Sequence, residues 1–216
     1  MKPLALGVAV AVFLAFYLGL QIALTLFASP PSWLTLVYSY SALVFSVCAS
    51  VVSYVKLTGQ SLGSAIHVRL TKRTPHWWIP LMCMAGMFIT LLVIRTLLHD
   101  VWLFDFDQTN MQYRALLANV PDRVVLIGIA VIVAPITEEV FFRGFLQHQL
   151  NQVTSSPYAI GCVALGFAVL HPVGQLPLTF ALGTWLGCCY HWGGLWWCVP
   201  MHTAWNALSL VWMSTT

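Results

Sequence analysis

Apolar residues run in long blocks along this chain, and polar ones collect in the short connections between them. A helix that crosses a hydrocarbon core about 30 Å thick needs about 20 apolar residues, because it rises about 1.5 Å per residue. Seven blocks approach that length: Leu4 to Phe27, Trp33 to Val55, Trp77 to Leu98, Val124 to Leu146, Tyr158 to Leu170, Leu176 to Tyr190 and Gly194 to Met213. The pattern predicts an all-α, polytopic bundle of about seven transmembrane helices with any polar site inside the bundle. The fifth and sixth blocks are short and are expected to be tilted, broken or sheltered by their neighbours. HPVGQLP between them reads as a bent or re-entrant turn, which a bilayer tolerates only where protein or a water-filled cavity covers the backbone. The first block begins like a signal peptide but is too long for an h-region and lacks a clear A-x-A site, so it reads as an uncleaved span.

Composition strengthens this picture. Charged residues make up 7% of the 216 residues and hydrophobic ones 60%, against about 25% charged in a soluble domain. The chain therefore reads as one integral, multi-pass membrane domain, 1–216. A net charge of +3, spread thinly, excludes a nucleic-acid partner. All six cysteines fall in apolar segments without C-x-x-C spacing and read as small hydrophobes. The connection after the second block carries Lys56, Arg69, Lys72 and Arg73, whereas the next carries Asp100, Asp105, Asp107 and Asp122. Positive-inside bias then puts the first connection, and the N-terminus with Lys2, in the cytoplasm. Trp77, Trp78, Trp192, Trp196 and Trp197 lie near block ends, as an interfacial belt would.

Against so few charges, APITEEVFFRGFL places two glutamates and an arginine in one apolar helix. Each ionisable group at the centre of a span costs about 2.5–3.5 kcal/mol on insertion scales, a burden that marks a site. Glu139 and Arg143 are four positions apart, share a face and are expected to form an ion pair. Glu138, turned about 100° away, is left without its own arginine, as suits a general base. Pro135 removes a backbone donor and is expected to kink the helix towards a cavity. The alternative is a buried ionic knot of Glu138, Glu139 and Arg143 that only fixes packing.

Two later blocks carry further polar sets. FAVLHP puts Phe167 one turn before His171, and MHTAWN puts His202 and Asn206 four apart on one face. Such groups are costly in lipid and are expected to converge inside the bundle. Together they offer what hydrolysis requires: a base for water at Glu138, an orienting group at His171, and donors to a developing oxyanion at His202 and Asn206. His67, His76, His99, His148 and His191 lie in connections or at block ends and read as solvated or interfacial.

The ordered sets EEVFFR, FAVLH and HTAWN resemble the E-E-x-x-x-R, F-x-x-x-H and H-x-x-x-N motifs of the CPBP (CAAX protease and bacteriocin-processing, or Abi) family of intramembrane proteases, which includes the type II CAAX prenyl endopeptidases. They divide the domain into motif-free spans, 1–122, and motif-bearing spans, 123–213. The resemblance implies that Glu138 and His171 activate water, that His202 and Asn206 line the oxyanion site, that Glu139 and Arg143 support them, and that Phe167 packs the site wall. It implies an endopeptidase acting on a membrane-embedded or lipidated peptide or protein within the lipid bilayer, and the expected compartment is a bacterial plasma (inner) membrane.

Members of that family have also been described as metalloproteases, and Glu138, His171 and His202 would make a His₂Glu zinc set. H-E-x-x-H is absent, however, and asparagine is a poor zinc ligand. No cofactor is therefore the favoured reading, with zinc the alternative. Two other functions compete: a transporter or proton relay through Glu138, His171 and His202, and a scaffold without catalysis. No internal repeat of the kind many transporters carry is visible.

Overall fold

In the computed structural model, which describes residues 3–27, 33–67, 78–98 and 106–215, the apolar blocks are helices at the places expected. They are α1 (Pro3–Phe27), α2 (Trp33–Thr58), α4 (Trp78–Leu98), α6 (Val120–Leu150), α7 (Ser156–Ala168), α8 (Leu176–Gly193) and α9 (Leu195–Thr215). Two more helices lie in connections: one-turn α3 (Leu62–Ala65) and α5 (Phe106–Ala118). Among the described residues, α1, α2, α4 and α6 contain stretches long and apolar enough to cross a membrane. The chain is an all-α membrane helix bundle. The fifth block forms the short helix α7, and HPVGQLP is a tight bend with a single 3₁₀ turn at Val173–Gln175. Lys2, Arg69, Lys72, Arg73, His76, Trp77, His99, Asp100 and Asp105, with the side chain of Asp107, lie outside the described residues.

The helix limits follow from the residues that set them. Proline stands in the first turn of α6, α7 and α8, where its missing N–H has no intrahelical partner to lose. Gly59 and Gly194, both at φ 70°, end α2 and α8 in a conformation that side chains resist.

Specific bonds align the spans that surround the site. Asp122, counted from sequence as a connection charge, is buried and accepts from the Trp33 backbone N–H at 2.7 Å and from Asn119 Nδ2 at 2.8 Å. It satisfies an open donor at the start of α2. At the other end of α2, the Tyr54 hydroxyl donates to Gln149 Oε1 at 2.7 Å, so α2 and α6 run parallel, tied at both ends. Ser50 Oγ, buried, donates to the Ala9 carbonyl at 2.8 Å and joins α2 to α1.

Helix α8 approaches its neighbours through Gly183 and Gly187, a G-x-x-x-G pair of the kind that lets helices meet backbone to backbone in lipid. A methyl group at Gly183 would lie 3.1 Å from Ala164 Cα, and one at Gly187 would lie 2.9 Å from Ile160 Cγ2, both on α7. On another side, the Trp185 ring covers Gly86 of α4 and its Nε1 donates to Thr90 Oγ1 at 3.2 Å.

Candidate active site

The motif-bearing helix α6 is not wound as a uniform α-helix. Two stretches, Ile129–Val133 and Val140–Gln147, are π-wound, with one extra residue per turn. In the first, the Ala134 N–H reaches back five residues to the Ile129 carbonyl. The physical reason is Pro135, which has no N–H to continue the ladder. The sequence anticipated a kink at this proline; the structure has a widened turn. In the second, the His148 N–H returns to the Arg143 carbonyl, again five residues back. Such π-bulges are most frequent at functional sites.

Glu139 and Arg143 lie in this distorted helix and are both fully buried. Arg143 Nη1 donates to Glu139 Oε1 at 2.8 Å, the pairing expected from their spacing. Arg143 Nη2 donates to the Gly183 carbonyl of α8 at 3.0 Å, and the guanidinium lies 4.8 Å from the centre of the Phe167 ring. One turn on, Gln147 Nε2 repeats the pattern at 3.0 Å to the Gly187 carbonyl. Two side chains four apart on α6 thus bind two carbonyls four apart on α8. The absence of side chains at Gly183 and Gly187 gives them access.

The same Glu139 Oε1 also accepts from His202 Nδ1 at 2.8 Å. A carboxylate oxygen can only accept, so Nδ1 carries the proton and the ring presents Nε2 to the other side. There, Glu138 Oε2 lies 3.8 Å from His202 Nε2. The Glu138 side chain is 13% exposed and the Glu139 side chain 0%. Among the described residues, Glu138 makes no hydrogen bond. The adjacent glutamates therefore differ in environment, one held between Arg143 and His202 and one at the margin of the site.

His171 is oriented separately. It stands just beyond α7, and its Nδ1 donates to the Phe167 carbonyl of that helix, 2.8 Å away, so that Nε2 faces the other side. The Phe167 ring stands between the two histidines, its centre 4.5 Å from that of His171 and 5.9 Å from that of His202. No hydrogen bond joins His171 to Glu138 among the described residues. Asn206 Nδ2 donates at 2.7 Å to the Ala130 carbonyl in the first π-wound stretch. Glu138, Glu139, Arg143, Phe167, His171 and His202 thus form one run of neighbours, in which His171 reaches the glutamates only through Phe167, whereas Asn206 is engaged with the Ala130 backbone.

Several participants were not anticipated. The motif-free half of the chain reaches this helix through α1, whose Phe13 lies against both Phe141 and Phe142. Phe13 of α1 stacks on Phe141 at 4.3 Å and on Tyr17 at 5.6 Å, which fixes that wall. Nothing in the spacing of these residues marks them. Gly183, Gly187 and Gln147 were legible, the glycines as a small-residue pair and Gln147 as the next residue on the Glu139 and Arg143 face.

A zinc ion would need Glu138, His171 and His202 to converge. Among the described residues, no three His, Cys, Asp or Glu side chains are grouped so as to hold a metal ion. In His202 and His171 alike Nδ1 is engaged and Nε2 is the nitrogen left for a further partner.

No curated protein and no solved structure matches the chain. Residues 120–208 match the family model described as type II CAAX prenyl endopeptidase Rce1-like. Those residues include Glu138, Glu139, Arg143, Phe167, His171, His202 and Asn206. The match thus makes the motif-bearing part of the chain, with its buried polar cluster, similar to that family of endopeptidases.

Proposed function

We propose that this chain is an intramembrane endopeptidase that hydrolyses a peptide bond of a membrane-associated or lipidated peptide with water activated by Glu138. The observation that carries the reading is the division between the paired glutamates. Glu139 is fully buried and committed to Arg143 and His202, whereas Glu138 is partly open, free of hydrogen bonds among the described residues, and 3.8 Å from His202 Nε2. A general base must be available to a water molecule, and only Glu138 of the two is.

Water bound at Glu138 is oriented by His171 Nε2 and attacks the scissile carbonyl carbon as its proton passes to Glu138. The carbonyl oxygen becomes an oxyanion. His202, as imidazolium, donates to it from Nε2, and Asn206 donates its remaining amide hydrogen. Collapse breaks the C–N bond, and the proton held by Glu138 goes to the leaving amine. Glu139 keeps the His202 ring in the orientation these steps require. The mechanism is metal-free, and the position of the basic connections favours cleavage near the cytoplasmic side.

Cleavage of a panel of prenylated and unprenylated peptides by purified protein in liposomes tests this reading. Glu138→Gln abolishes cleavage, and a strong chelator leaves the wild type active. Cleavage that survives Glu138→Gln would sink the mechanism, and chelator sensitivity would replace it with a metal-dependent one.

A further inference from the structure

We propose that Asn206 is a positioning residue: its side-chain amide takes the place of the backbone N–H that Pro135 lacks, and thereby holds the widened turn that presents Glu138. This goes beyond the proposed function, because it concerns how α6 is held and requires no cleavage.

The argument begins with the hydrogen-bond ladder. In the π register, set by the Ala134 N–H bond to the Ile129 carbonyl, the next donor in line for the Ala130 carbonyl is residue 135. That residue is proline and has no hydrogen to give. Pro135 and Ala134 are both buried, and a bilayer offers no water to a carbonyl left open there. The Ala130 carbonyl instead accepts from Asn206 Nδ2 at 2.7 Å, a partner 76 residues away on α9. An asparagine amide is a fair substitute for a peptide N–H, since both are planar amide donors.

The consequence for the site follows from winding. Glu138 stands three residues after Pro135. If the turn tightened to ordinary α geometry, every residue beyond it would rotate by about 100° relative to those before it. The Ala130 bond opposes that rotation. His202 precedes Asn206 by one turn on the same helix, so the bond also sets the height of His202 against Glu138.

A double-mutant cycle on the full chain in detergent tests the proposal. Asn206→Ala lowers the melting temperature by about 4 °C, as expected for a part-buried carbonyl left open in a chain of this size. In a Pro135→Ala background a backbone N–H is again available to Ala130, and the same substitution costs less than half as much. Equal losses in both backgrounds would overturn the proposal. Where Asn206→Ala alone does not fold, recovery of folded protein in the double variant supports it and failure of both overturns it.

A second readout follows the turn itself: the infrared carboxyl band of Glu138, assigned by its loss in Glu138→Gln. The band moves in Asn206→Ala and returns in the double variant; a band indifferent to Asn206 would contradict a positioning role. Neither readout uses a substrate. A chain that cleaves no peptide would count against the proposed function and leave this result standing.

Discussion

Glu139 and His202, 63 residues apart in sequence, are joined by a 2.8 Å hydrogen bond between fully and almost fully buried side chains. The bond connects the motif-bearing helix to the last one and decides which nitrogen of His202 faces Glu138. Glu139→Gln keeps the shape of the side chain but removes its charge. It is expected to lower kcat at least about tenfold with little change in KM, a smaller effect than the roughly 10²–10⁴-fold that an acid–base group itself contributes. Steady-state kinetics on a cleaved peptide check this, and an unchanged kcat would remove Glu139 from the positioning role.

Arg143 gives Glu139 its cation and touches Phe167 and α8 besides. Arg143→Met preserves most of the packing but leaves a buried carboxylate without its counter-charge. Breaking a buried pair in this way costs about 3–5 kcal/mol, which for a chain of this size is a drop of roughly 10 °C in melting temperature. Thermal unfolding in detergent measures it. A drop below about 2 °C would mean that the pair contributes little net stability.

Gly183 and Gly187 differ in what stands over them. A methyl group at Gly183 meets the Ala164 backbone at 3.1 Å, whereas one at Gly187 meets the Ile160 side chain at 2.9 Å. Cγ2 sits on the branched β-carbon of Ile160, which is stiff, and Gln147 Oε1 stands 3.2 Å away as well. Both Gly183→Ala and Gly187→Ala are therefore expected to destabilise, by about 1–3 kcal/mol for overpacking, and Gly183→Ala to impair catalysis by displacing the carbonyl that Arg143 binds. Thermal unfolding of the two variants measures the cost, and an unchanged melting temperature in either would refute the argument.

Gln149 links two elements at the far end of α6: it accepts from the Tyr54 hydroxyl at 2.7 Å and donates to the Ala65 carbonyl at 3.1 Å. Ala65 belongs to the segment whose His67 N–H donates to the Gly144 carbonyl at 2.9 Å. Gln149→Leu strands both partners, at about 1–3 kcal/mol for each buried group left unsatisfied. Hydrogen exchange at the His67 amide should accelerate by an order of magnitude or more, since about 1.4 kcal/mol is a factor of ten. Unaltered exchange there would show that the segment is held by other contacts.

The helices were legible in the sequence because a bilayer imposes one length and one polarity on whatever crosses it. Helix α5 was not, because its polar residues resemble a connection, and it joins a core through Leu116, packed with Leu126 and Leu210 and flanked by Tyr113 and Leu117. The pairing of Glu139 with Arg143 could be read because both lie on one helix at a spacing that brings them together. The bonds from Glu139 to His202 and from Asn206 to Ala130 could not, since they depend on how distant helices are rotated and raised. Periodicity also hides the π-wound stretches. Pro135 announces a missing donor, but not whether the chain answers by bending or by widening a turn.

Helix α8 serves the polar face of α6 with main-chain carbonyls at Gly183 and Gly187, not with side chains. Rotamers relax one at a time, but a carbonyl within a helix moves only when the whole rod moves. The charged centre is accordingly gauged against a rigid rail. Positions on the exposed flank of that rail, such as Phe180, are therefore at liberty to vary with the surrounding lipid while the spacing that Arg143 and Gln147 read stays the same.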